Sequence, residues 1–173
     1  NPSALLTSSL LVVMMVLASW LALNVTNDKS LPLFRHALYS LSLGGGGVLL
    51  LTTQGVLNVS PWYDPQYLVP LGGMIFSSSM TAISLALERY EAHKSDNSAL
   101  DAKRAAFRAA MIPVVNALLA VGVVSLPGMM TGQILSGVSP FIAARYQIMV
   151  MCMMFSSTGL TVFLFLKLHC RGE

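Results

Sequence analysis

The residues best suited to chemistry sit at a break in an apolar chain. Met129, Met130, Thr131 and Gln133 fall within Ser-Leu-Pro-Gly-Met-Met-Thr-Gly-Gln-Ile (125–134). Thioethers bind soft cations such as Cu(I), and Thr and Gln add neutral hydrogen-bonding groups. Pro127 frees a carbonyl and restricts Leu126, while Gly128 and Gly132 permit close approach or unusual dihedrals. Such a break lets a helix end turn back and line or gate a path through a membrane. A plain helix–turn–helix cap on the outer surface is the alternative. A second set is Ser77, Ser78 and Met80, with Ser79, Thr81 and Ser84, after Gly72-Gly73-Met74. Small hydroxyl residues let helices approach and bond their own backbone, or they line a polar path. Asn116 needs a partner in lipid, as helix glue or as a path residue. Two thioethers with no Cys or His beside them in sequence leave the metal ligands unassigned. Met149, Met151, Met153 and Met154 read as gap-filling residues. Cys152 and Cys170 show no pairing pattern and imply neither a disulfide framework nor a zinc site. A serine nucleophile lacks an intramembrane His or Asp to activate it.

The elements that must position these residues are membrane helices. The 173 residues are 55% hydrophobic and 10% charged, with mean hydropathy +0.70, whereas a soluble domain carries about 25% charged residues. So few charges cannot cover a water-facing surface, so lipid must cover it. Runs of the length that crosses a bilayer are 4–23, 36–57 (loosened by Gly44-Gly45-Gly46-Gly47), 67–87, 109–126 (starting near Pro113) and 145–168. The stretch 127–144 is too short and broken to cross, and reads as re-entrant or surface-capping. The expected fold is all-α: a polytopic bundle of about five spans plus this broken segment, forming one transmembrane domain over 1–173.

Orientation follows from Lys and Arg. Lys29, Arg35, Arg89, Lys94, Lys103, Arg104, Arg108, Lys167 and Arg171 fall on one side and Arg145 alone on the other. The positive-inside rule puts the N-terminus outside and the C-terminus in the cytoplasm of an inner or plasma membrane. Trp62, Tyr63 and Tyr67 suit the outer interface. The cytoplasmic stretch 88–108 contains a helix that Ser98 can cap, with Asp101 in its first turn. Leu100, Lys103, Arg104 and Phe107 give an apolar ridge beside a basic one. It is either an interfacial helix on anionic lipid or a docking helix for a cytoplasmic partner, with Glu88, Arg89, Lys103, Arg104, Phe107 and Arg108 as the docking set. His36, His93 and His169 lie at or beyond span ends. No Walker-type loop is present, and between Ala109 and Leu168 the only charge is Arg145. Transport against a gradient would therefore draw its energy from a partner.

Three passages, VPLGGMIFSSSMTAISLALERYE (69–91), RAAMIPVVNALLAVGVVSLPGMMTGQILSGVSP (108–140) and ARYQIMVMCMMF (144–155), resemble FetB-type permeases. These are membrane subunits of an iron-exporting ABC transporter, similar also to plant permeases linked to aluminium tolerance. The resemblance covers about residues 62–165. It implies a homodimeric permease, bound to two copies of a separate ATPase, that moves iron or another metal by alternating access. No cofactor is expected on this chain, since ATP and Mg would sit on the partner. No nucleic-acid partner is expected. Family members carry further membrane helices ahead of Ala4, and a Leu-Gly-Ala-type stretch before the basic helix that is missing here. A membrane anchor or assembly protein, or a channel or carrier working without an ATPase, are the competing readings.

Overall fold

The computed structural model describes residues 2–26, 30–93, 99–122 and 126–169. Among them the architecture is helical throughout, as expected: α1 Pro2–Leu21, α2 Leu31–Ser40, α3 Gly47–Leu50, α4 Pro65–His93, α5 Ala99–Ala120, α6 Gly128–Leu135 and α7 Pro140–His169. Among the described residues, three helical stretches have the length and apolarity to cross a membrane, Ala4–Val25, Pro65–His93 and Pro140–His169. They correspond to the first, third and fifth expected spans.

The other two spans are built differently from expectation. The second keeps a helical course through its glycines, where the helix widens. Helical backbone runs without a gap from Leu31 to Val56, widened to π geometry over Leu41–Gly46 and Leu51–Val56. Close packing replaces side chains there. A Cβ on Gly44 would lie 2.7 Å from the Thr161 backbone nitrogen, and one on Gly45 would lie 3.0 Å from Ile75 Cγ2. Gly44 thus lets this rod touch the backbone of α7, and Gly45 lets it pack closely on the Ile75 side chain of α4. The fourth span is continuous with the helix expected to precede it: α5 runs through Arg108 and Pro113 to Ala120. Its apolar part, 109–120, rises only about 18 Å, short of the roughly 30 Å of hydrocarbon. Ser98 lies outside the described residues.

The helix ends follow local sequence. Asp64 caps α4, its Oδ1 accepting from Gln66 N at 3.0 Å, with Pro65 in the first turn where no donor is needed. Gly137, at φ +91, ends α6. Val138 N donates to Gln133 O and Gly137 N to Ile134 O, both at 3.0 Å, which closes a Schellman motif. Pro140 then starts α7, so 140–144 belong to the last span and not to the broken segment.

α4 is the central element, in contact with α1, α5 and α7. Two cores stack along it. One joins Ala22 and Leu23 with Leu33, Leu87, Tyr90, Ala102, Ala106, Phe165 and Leu166. Buried Ala102, Ala106 and Ala110 recur every fourth residue on α5, a small-residue stripe that lets α5 close on α4. The second core joins Leu41, Leu49, Leu68, Leu71, Ile75, Phe76, Val150 and Met153. The end of α1, the start of α2, the end of α4, the start of α5 and the end of α7 therefore share one end of the bundle. Arg35, Arg89, Lys103, Arg104, Arg108 and Lys167 all belong to that end, and Arg145 to the other. Lys29, Lys94 and Arg171 lie outside the described residues. Across the bundle, Ser84 Oγ donates to Ala22 O at 2.9 Å, and Thr26 Oγ1 donates to Glu91 Oε1 at 3.1 Å.

Candidate functional site

Midway along the bundle, α4, α5 and α7 enclose a half-open groove of about 170 Å³. α4 supplies Ser77, Ser78 and Thr81, each a turn or less from the next. α5 supplies Pro113 and Ala117, and α7 supplies Met154 and Thr158. Thr158 is 1% exposed, and its Oγ1 has no hydrogen-bond partner. Thr81 Oγ1, by contrast, donates to Ser77 O at 3.1 Å. Pro113 has no N–H to offer the Ala109 carbonyl, one turn back, so α5 carries a weakened point where it lines the groove. The groove holds neutral hydroxyls and one thioether, with no charged lining residue. It can hold a small ligand by hydrogen bonds, and nothing in its lining activates a nucleophile.

Towards the Arg145 end, α6 lies against α7 and divides the remaining space. On one side Met129 and Gln133 line a cleft of about 250 Å³ with Gln66, Tyr67, Pro70 and Tyr146. On the other side Met130 faces a separate cavity against α7. Thr131 turns inward on its own helix, its Oγ1 donating to Pro127 O at 3.2 Å.

At the basic end, a third groove of about 320 Å³ runs between α5 and α7. Leu100, Lys103, Arg104 and Phe107 face Phe163, Leu166 and Lys167 across it. Its walls are apolar and its rim is cationic. Arg104 also lies 3.7 Å from Asp101, with both side chains mostly exposed, so that pair is worth little and leaves the guanidinium available. Glu88, Arg89 and Arg108 are exposed at the same end. His169 stacks on Phe165 with ring centroids 5.7 Å apart and meets Tyr90 edge-on at 5.6 Å, tying α7 to α4 just below. Among the described residues no three His, Cys, Asp or Glu side chains converge as a metal site.

A family model described as an uncharacterised protein family, UPF0014, matches residues 1–100 and 92–172. The chain belongs to the UPF0014 family. The UPF0014 membrane protein slr1647 of Synechocystis is 39% identical, over 87% of this chain and 64% of its own length. The probable iron export permease protein FetB of Escherichia coli is 31% identical, over 74% of this chain and 54% of its own. The protein ALUMINUM SENSITIVE 3 of Arabidopsis thaliana is 29% identical, over 66% and 47%. The chain thus spans between 47 and 64% of the length of these UPF0014 relatives. No solved structure matches it. The two family segments overlap over residues 92–100, between the end of α4 and the start of α5.

Against this family background, the residues singled out from sequence separate into distinct places. Ser77 and Ser78 share the hydroxyl groove. Met80 does not line it; it packs between the two cores. Asn116 is exposed on α5 beside Ile112 and Leu119, outside the groove lining. Met129 and Gln133 open to one cavity and Met130 to another. Lys103, Arg104 and Phe107 do share one groove. Sequence reasoning passed over Thr158 and Gln147, and read Cys152 as a small packing residue. The signal for Thr158 was available in Ser156-Ser157-Thr158, a hydroxyl run opposite the one in α4.

Proposed function

We propose that this UPF0014 chain is the membrane-spanning permease part of an ABC transporter. A separate cytoplasmic ATPase drives it to move iron or another metal ion out of the cell. Two copies act together, with the basic end of the bundle in the cytoplasm, the N-terminus outside and the C-terminus inside. ATP and Mg reside on the ATPase. One observation carries the reading. α5 is a single helix whose first turns line the basic groove through Lys103, Arg104 and Phe107, and whose later turns line the hydroxyl groove through Ala110, Pro113, Val114 and Ala117. A partner pushing on the basic end moves the groove wall directly, because packed helices transmit displacement. The printed function of the Escherichia coli relative supplies the cargo class. Hydroxyls, a thioether and the weakened turn at Pro113 form the moving wall. The ATP-driven step is translocation, with no bond made or broken at this subunit.

The test is capture of a cognate ABC ATPase by the chain in detergent, with ATP hydrolysis as the readout. Lys103→Glu with Arg104→Glu is expected to abolish stimulation while leaving the helical content intact. Unaltered stimulation in that variant removes the basic groove from coupling. Failure of the wild type to bind or stimulate any cognate ATPase favours the anchor or stand-alone carrier.

A further inference from the structure

The cavity between α6, α7 and the end of α5 holds about 300 Å³. Three sulfur-bearing side chains from two helices line it: Met130 on α6, and Met151 and Cys152 on α7. Gln147, one turn before Met151, lines it as well. Gln147 is only 5% exposed and is the polar side chain in this lining. A buried amide beside an otherwise apolar cavity gains from a polar or charged occupant. The rest of the wall is apolar: Leu118, Leu126, Ala144 and Ile148. Met151 and Cys152 are neighbours in sequence on α7, and the packing of α6 on α7 puts Met130 on the same cavity.

We propose that this cavity binds a soft monovalent metal cation, Cu(I) or Ag(I), through the Met130 and Met151 thioethers and the Cys152 thiolate. The Gln147 amide faces the same bound ion. Binding forms an S–metal bond at Cys152 and breaks its S–H bond, and the proton leaves to water. The oxidation state of the metal does not change. Charge decides the class of ion. One thiolate neutralises a monovalent cation, so the loaded site is net neutral in an apolar wall. Cys152 is exposed, which leaves its thiol open to an entering ion, and Fe(II) would leave one uncompensated positive charge beside the apolar wall. Sulfur donors also favour Cu(I) over the harder iron ions. The thioethers reach the ion without strain because Met has three rotatable side-chain bonds. The site rests on the transport reading only for its place in a transport path; the binding itself needs neither an ATPase nor flux.

The test uses the whole chain in detergent micelles, with Cys170→Ser so that Cys152 alone carries a thiol. Maleimide labelling of Cys152 is timed with and without one equivalent of Ag(I). Cu(I) affinity is measured by competition with bicinchoninate. Ag(I) is expected to slow labelling about tenfold or more, and Fe(II) to leave it unchanged. Met130→Leu and Met151→Leu conserve volume, and each is expected to weaken Cu(I) binding about tenfold or more. If a Met variant fails to fold, the wild-type labelling with Ag(I) and with Fe(II) still decides. Labelling indifferent to Ag(I), or a Met130→Leu/Met151→Leu pair that keeps wild-type Cu(I) affinity, overturns the site. Intact binding with no ATP-driven flux overturns the transport reading alone.

Discussion

Thr158 and valine have nearly the same shape, and the difference between them is one hydroxyl that finds no partner in the structure. If that hydroxyl served packing, removing it should be harmless or stabilising by about 1 kcal/mol, since an orphan buried donor carries its full desolvation penalty. If it serves a ligand in the groove, transport should suffer. Thr158→Val is therefore expected to hold or raise thermal stability in detergent while lowering metal flux several-fold. Unchanged flux would return Thr158 to the packing role. Gly44 makes the opposite kind of prediction. A Cβ there would lie 2.7 Å from Thr161 N and 2.8 Å from Thr161 Cα, atoms that cannot move without shifting α7. Gly44→Ala should destabilise the bundle by about 1–3 kcal/mol, the usual cost of overpacking. Gly47→Ala, with nothing within 4 Å of its Cβ, should be neutral or slightly stabilising. Denaturant titration of the two variants separates them; equal stabilities would contradict the close approach of the rod to α7.

At the scale of elements, α5 and α6 matter most. Gly137 sits at φ +91 to close α6, a dihedral that costs a non-glycine residue about 1 kcal/mol. Gly137→Ala should fray α6 and raise hydrogen exchange over 128–138 while sparing α4 and α7. Unchanged protection would show that contacts with α7, and not the Schellman closure, hold α6. α5 also shows how far the sequence could be read. The first, third and fifth spans were readable because unbroken apolar runs longer than 18 residues have few other uses. The fourth was misjudged at Arg108. The shift there from charged to apolar residues marks a change of surroundings, and a helix continues through such a change with the same backbone hydrogen bonds. The stripe Ala102, Ala106, Ala110 stayed unnoticed because alanine gives almost no hydropathy signal, though it decides where α5 packs. The broken segment was visible from Pro127 and its glycines, but its division of labour was not. Met129 and Met130 are neighbours in sequence and about 100° apart around a helix axis, so they open to different cavities. That separation depends on where α7 runs, which no local pattern reveals.

The whole molecule leaves much apolar surface open. Only 17% of the apolar window in α1 is buried, against 44% in α4 and in α7, and Leu119, Leu135 and Phe141 are 71%, 83% and 83% exposed. Lipid suits most of this surface, but Asn116 lies exposed within it, between Ile112 and Leu119. An amide there gains about 0.6–2 kcal/mol by bonding across a helix pair, and the proposed second copy of the chain, presenting its own Asn116, would meet that need symmetrically. Asn116→Cys should then form a covalent dimer under mild oxidation in membranes, in a background free of the two native cysteines. Asn116→Leu should lower dimer yield in detergent. Failure of both would place Asn116 toward lipid or another helix. The central claim is that a basic-end ATPase drives metal through this bundle. The most direct measurement is metal flux in sealed vesicles holding the chain and its cognate ATPase, followed with and without ATP and with the Lys103→Glu/Arg104→Glu variant. Flux that needs ATP, needs the ATPase and falls to background in the variant is the predicted result; metal flux of equal rate without ATP or without the ATPase would contradict it.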